Sequence, residues 1–270
     1  MWTFKMAIVE AATLAMPCGA AMAQDRSVHL MPPGTVVKES FTLVDKTVPL
    51  PEGEFLFVAS QVRDATRVKG EWIRQRVQLV TVYLAQLEGD QLRAEVLATT
   101  VLDPRFTYSK WEDEPCNRSD SLFRLDLSQN RGYQQNCLLV NHITNIYARQ
   151  PPGIYGDAYV WLQQRGARLP VDVVIEATVT RIEVGEWLSV THRFNPAAFG
   201  CDVGRNPTWT TSAWHPSAVG KDEQRKQFVD SVVAGGKAIQ AQIDQDFHRR
   251  GPRTPAAVAS RIYRCSAKPA

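Results

Sequence analysis

Hydrophobic positions between residues 77 and 101 alternate with a period of two, whereas those between 228 and 247 recur every three or four residues. The first pattern predicts strands and the second a helix. In VQLVTVYLAQLEGDQLRAEVLATTV, Val77, Leu79, Tyr83, Ala85 and Leu87 share one parity. Leu92, Ala94, Val96 and Ala98 continue the apolar face after a turn at Glu88-Gly89-Asp90. This predicts a long hairpin with one face buried, and Val80, Val82 and Leu84 imply that part of the other face is covered too.

A second hairpin is read from VDVVIEATVTRIEVGEWLSVTHRF. Val171, Val173, Ile175, Ala177 and Val179 are in phase, a turn falls near Val184-Gly185, and Leu188, Val190, His192 and Phe194 continue the face. VVKESFTLV and Phe55–Ala59 give earlier strands; SLFRLDLS and CLLVNHITNIY give two more between the hairpins. GDAYVWLQQRG, after the breaker Pro151-Pro152-Gly153, predicts a short helix.

From Asp222 the period changes. Phe228, Val229, Val232, Val233, Ile239, Ile243 and Phe247 fall on one helical face, with Gly251-Pro252 as the stop. Gly235-Gly236 interrupts this helix at a cost of about 1 kcal/mol per glycine unless close packing needs them. Strands followed by a long amphipathic helix predict an α+β fold, a mainly antiparallel sheet of long hairpins with the helix packed on it.

The N-terminus adds an address. Lys5, an apolar stretch from Met6 to Met16, and Ala21-Met22-Ala23 before Gln24 read as a secretory signal peptide over residues 1–23, leaving 24–270 as a single α+β domain. A periplasmic or secreted protein is expected, with no integral membrane segment after signal cleavage. The formal charge of +3 comes from 31 basic and 28 acidic residues without a long run of either sign, which argues against a nucleic-acid partner.

Export changes the meaning of the cysteines. Cys18 leaves with the signal, and the remaining Cys116, Cys137, Cys201 and Cys265 are expected to form two disulfides in an oxidising compartment. The favoured pairing is Cys116 with Cys137 and Cys201 with Cys265, closing loops worth about 3 and 4 kcal/mol on a chain-entropy argument. In QNCLLVNH, His142 stands five residues after Cys137, so on a strand it faces the opposite way, about 16 Å along the chain. The two cannot form a nucleophile–base dyad there. Cys116, in WEDEPCNRSD, sits among carboxylates that would raise a thiol pKa.

Catalytic signatures are few. The five histidines, His29, His142, His192, His215 and His248, fall in no metal-binding spacing, and no cofactor is implied. G-x-S-x-G, P-loop and dinucleotide fingerprints do not occur. His192 lies on the apolar parity of its strand and reads as a core histidine.

The most suggestive stretch is FGCDVGRNPTWTTSAWHPS. It is a loop by composition, tied by Cys201 and carrying Asp202, Arg205, Trp209, Trp214 and His215. Exposed tryptophans on a stapled loop stack on a ligand or partner, and an arginine clamps an anion; the competing reading is that both tryptophans cap the core where the long helix begins and the arginine pairs with a neighbouring acid. RFTYSKWEDEPC, with Phe106, Tyr108 and Trp111, offers a second aromatic patch.

These residues point to an exported, disulfide-stabilised, non-catalytic binding or interaction module of the bacterial cell envelope. Its partner would be an envelope ligand or protein of unspecified kind, met by Trp209, Trp214, Arg205, His215, Asp202 and Trp111. The alternative is an envelope hydrolase acting on glycan or peptide, with His215 as base oriented by Asp202. A structural or assembly subunit is a third class, which would present a flat apolar surface rather than a pocket.

Overall fold

The computed structural model describes residues 27–69, 73–103, 110–111, 114–118, 120–129, 133–147, 152–170, 172–205, 207–248 and 262–265. The signal-peptide reading therefore lies outside the described residues. So do Phe106, Tyr108 and Gly251-Pro252.

The predicted hairpins form one antiparallel sheet. Its strands are β1 (Val36–Leu43), β2 (Lys46–Lys69), β3 (Ile73–Glu88), β4 (Gln91–Val101), β5 (Lys110–Trp111), β6 (Phe123–Asp126), β7 (Gln134–Thr144), β8 (Val173–Glu183) and β9 (Glu186–Phe194). Eight run in the order β1-β2-β3-β4-β9-β8-β7-β6, and β5 pairs with β2. Helix α1 (Ile154–Gln164) follows β7, and helix α2 (Glu223–Asp246) follows the tryptophan loop. The α+β class, the long hairpins and the packed C-terminal helix are all as the sequence predicts.

The face holding the main core is the one covered by α2. Val82, Leu84, Val96, Ala98, Leu138, Val140, Ile175, Val179 and Val190 pack there against Phe228, Val232, Ile239 and Ile243. Asp222 caps the helix by accepting from the Arg225 amide at 3.1 Å. At the other end the buried Lys46 ammonium donates to the Phe247 carbonyl at 2.9 Å and pairs with Glu186 at 2.5 Å. A cation there satisfies a terminal carbonyl and complements the helix dipole. A methyl group built on Gly236 would come within 2.7 Å of Leu138 Cδ1, so this glycine lets helix and sheet approach closely.

One register prediction needs correction. Val82 pairs with Ala98 and Leu84 with Val96, so the 80/82/84 series faces α2 together with 94/96/98. Tyr83 and Ala85 lie on the opposite face with Leu97. The cause is a register shift between Gln86 and Leu87: Leu87 and Leu92 still oppose each other beside the turn, but one residue is displaced beyond it. A one-residue slip exchanges the two faces of a strand, which parity counted across the turn cannot detect. For the second hairpin, Ala177 opposes His192 and Val179 opposes Val190, as the phase predicts.

Both expected disulfides are formed, Cys116 with Cys137 and Cys201 with Cys265. The second pins residues 262–265 beside α2; its position is set by the Cys265 amide donating to the Phe199 carbonyl at 2.9 Å. Among the described residues no helix is long and apolar enough to cross a membrane. Two disulfides together with that observation fit an exported protein.

Candidate functional site

The sheet face away from α2 is only partly covered. Helix α1 lies over its β2–β3 side, where Ile154, Ala158 and Leu162 pack on Val58, Tyr83 and Leu97. That leaves three adjoining cavities across the strands. The largest, 550 Å³, is bounded by Tyr155 and Tyr159 of α1, Arg193 of β9, Thr144 at the end of β7, Asn145 after it, and Trp209. Tyr155 is shared with a 260 Å³ cavity running over β9, β4 and β3 to Gln61 and Arg63 of β2. Trp209 and Thr144 are shared with a 470 Å³ cavity over β7 and β8, closed by Arg118 and Asp120. From β2 to β7 this is five interstrand steps, about 24 Å at 4.8 Å each.

The floor at the centre is a row of directly opposed residues. Glu95 pairs across the ladder with Arg193, Arg193 with Glu176, and Glu176 with Asn141. Arg193 donates through Nη1 to Glu95 at 3.0 Å, through Nε to Glu176 at 2.7 Å and through Nη2 to the Tyr155 hydroxyl at 3.1 Å. Glu95, 1% exposed, also accepts hydrogen bonds from Tyr83 and, at 2.8 Å, from Tyr147. Although burial disfavours its charge, the flanking carboxylates hold the Arg193 guanidinium well above its usual range. Burial, then the Glu95 charge, pushes Tyr83 and Tyr147 up, so both remain protonated donors.

Of the four clustered tyrosines, Tyr159 differs. It is 2% exposed and packs against Tyr147 with ring centroids 4.7 Å apart, yet its buried hydroxyl has no hydrogen-bond partner. A buried unpaired hydroxyl is normally avoided.

The adjoining floor is lined by hydroxyls. Thr81 pairs with Thr99 at 2.9 Å, Thr178 with Thr191 at 3.0 Å and Thr180 with Ser189 at 3.4 Å. These positions occupy the strand parity facing away from α2, where a half-buried sheet surface tolerates β-branched polar residues.

Trp209 is held by the histidine of QNCLLVNH. Its ring stacks on His142, centroids 5.5 Å apart and 16° from parallel, and His215 meets it edge-on at 4.5 Å. His142 Nε2 lies 3.1 Å from the Trp209 carbonyl oxygen. A carbonyl only accepts, so Nε2 carries the proton in the neutral ring and Nδ1 keeps a bare lone pair. Burial first, and the nearby His215, hold the His142 pKa below its ordinary value. The rest of QNCLLVNH is scaffold: Asn136 accepts from Gln240 of α2 at 2.8 Å and donates to Asp244 at 3.0 Å, while Cys137 is bridged.

No family model, no curated protein and no solved structure matches this chain. The geometry alone therefore carries the reading of the site.

The residues singled out from the sequence separate. Trp209 stands in the groove and His215 supports it. Trp214 is fully buried in the main core, edge-on to Phe228 at 5.6 Å, and presents no surface to a ligand. Trp111, 3% exposed, packs on Trp187 at 4.9 Å, six residues or about 20 Å along β9 from Arg193. It shares no groove with Trp209. Arg205 is exposed on the loop. Asp202 accepts from the Gly204 amide at 3.0 Å, whereas His215 Nδ1 engages Ser217 at 2.9 Å. No hydrogen bond joins His215 to Asp202, so the hydrolase arrangement has no geometric support. Among the described residues no three His, Cys, Asp or Glu side chains come together as a metal site needs.

Sequence reasoning passed over Glu95, Arg193, Glu176, Tyr155 and Tyr159. One signal was present: Tyr155 and Tyr159 are four residues apart and so share a helix face.

Proposed function

We propose that the protein is an exported binding module of the bacterial cell envelope whose ligand lies across the free face of the sheet, in the groove centred on Trp209. Residues 1–23 act as the export signal and 24–270 as the working domain. The observation that carries this reading is the sharing of Trp209 by two cavities that together with a third span the sheet from β2 to β7. A concave surface with aromatic walls and a few convergent polar groups is the usual form of a ligand site. The surrounding structure favours binding over catalysis. The carboxylates nearest the centre are both engaged by Arg193, which leaves neither as an evident base.

The test is calorimetric titration of the mature chain with fractionated envelope material: soluble oligosaccharides, peptides and lipids. Saturable binding that is lost in Trp209→Ala and weakened in Tyr155→Ala, with circular dichroism unchanged, supports the groove. Binding that survives both changes at full strength places the function elsewhere.

A further inference from the structure

Two residues that line the groove each carry a buried polar atom without a partner, closed off from solvent in the unliganded chain: the Tyr159 hydroxyl in the lining of the 550 Å³ cavity, and His142 Nδ1 in that of the 470 Å³ cavity. Both residues are at least nine-tenths buried. Neither atom is satisfied by the protein, and they ask for different things. His142 Nδ1 needs a donor, while Tyr159 offers an O–H and accepts in return. A ligand carrying hydroxyl groups answers both, because each hydroxyl donates and accepts.

Charge narrows the class. Along the groove three arginines, Arg63, Arg118 and Arg193, stand with three carboxylates, Asp120, Glu176 and Glu95. Arg118 is forked onto Asp120 at 3.2 and 3.1 Å, and Arg193 is held between the other two. No net charge remains to select a phosphate or a carboxylate. Each threonine or serine pair spends one O–H on its neighbour and keeps one, so the floor offers neutral donors and acceptors at regular spacing.

Backbone geometry argues against a peptide. An extended peptide gains affinity by running along a strand edge, but this groove runs across the faces of six strands and meets an edge only at its β7 end, where β6 pairs no further than Val140. Trp209, with His142 stacked on its ring, and Tyr155, with the Arg193 guanidinium over its ring at 4.9 Å, both line the groove beside a floor of hydroxyls, a pairing that suits a sugar ring with apolar faces and a polar rim.

We propose that the groove binds a neutral oligosaccharide of several rings, stacked on Trp209 and Tyr155, with hydroxyls satisfying Tyr159 and His142 Nδ1. This rests on the groove being the ligand site.

The experiment is calorimetric titration of the mature chain with four probes: neutral hexamers of glucose and of N-acetylglucosamine, an anionic galacturonate hexamer, and an uncharged hexapeptide. The expected result is binding of a neutral hexamer, weaker for the matching dimer, and reduced at least tenfold in each of Tyr159→Phe and Thr191→Val. Full affinity in both variants overturns the proposal. Tighter binding of the galacturonate or the peptide, still lost in Trp209→Ala, overturns the sugar but leaves the groove standing. No binding of any probe by a folded chain overturns the proposal as well, and the groove reading falls only if the envelope fractions also fail to bind.

Discussion

His142 lies flat against Trp209, ring centroids 5.5 Å apart, although 67 residues separate them in the chain. One residue lies in β7, two residues before its end, and the other belongs to the tryptophan loop, so their contact fixes where that loop stands against the sheet. His142→Ala is expected to free the Trp209 carbonyl and remove the ring beneath it. Loss of this contact and hydrogen bond should cost about 1–2 kcal/mol of stability and weaken ligand binding more than tenfold. Chemical denaturation alongside ligand titration separates the two effects, and a variant that binds normally would show that the loop is held by other contacts.

Tyr159→Phe should move stability and binding in opposite directions. Its hydroxyl is buried without a partner, so removing it relieves a desolvation penalty in the unliganded protein. We expect a gain of about 1 kcal/mol in urea unfolding. If the groove ligand pairs with this hydroxyl, the same change weakens binding. A loss of stability would mean that the hydroxyl is satisfied by ordered water.

Much of the scaffold was legible and the site was not, for one physical reason. Period-two and period-3.6 patterns report burial by the nearest layer, so Ile175, Ala177 and Val179 announced their face and Phe228, Val232 and Ile239 announced theirs. Glu95 and Arg193 occupy alternate strand positions that read as solvent-facing. Tyr147, after β7, and Tyr155 of α1 close over them, and the connection that brings both there is one that no local pattern encodes. Trp214 follows the competing reading of its loop: composition marks the stretch as exposed, but the ring fills the core beside Phe228 where α2 begins. The cysteines were legible because four of them leave only three pairings.

Arg193 is a test of the central row. Arg193→Met leaves Glu95 and Glu176 with no cation between them in a buried setting. Breaking a buried pair on one side typically costs about 3–5 kcal/mol, far more than the pair itself contributes. The double variant Arg193→Met with Glu95→Gln should recover part of that loss, since the deepest uncompensated charge is gone. If the single and double variants unfold at the same urea concentration, the loss comes from Glu176 and from packing rather than from the Glu95–Arg193 pair.

His192 makes stability depend on pH. It is buried against the α2 face, and burial lowers its pKa from 6.5 to about 4. Below pH 6.5 the unfolded chain takes up a proton that the folded chain refuses until about pH 4, so the unfolded state binds more protons in that window and stability falls with pH. The contribution is fully present above pH 6.5. About 3 kcal/mol is lost by pH 4, at 1.36 kcal/mol per pKa unit. His192→Phe, of similar shape and without a titrating group, should flatten this part of the profile. Urea unfolding at pH 7.5 and pH 4.5 for both proteins checks it: the wild type should lose more stability than the variant, and equal losses would assign the acid sensitivity to other groups, such as His142, which burial also holds below its ordinary pKa.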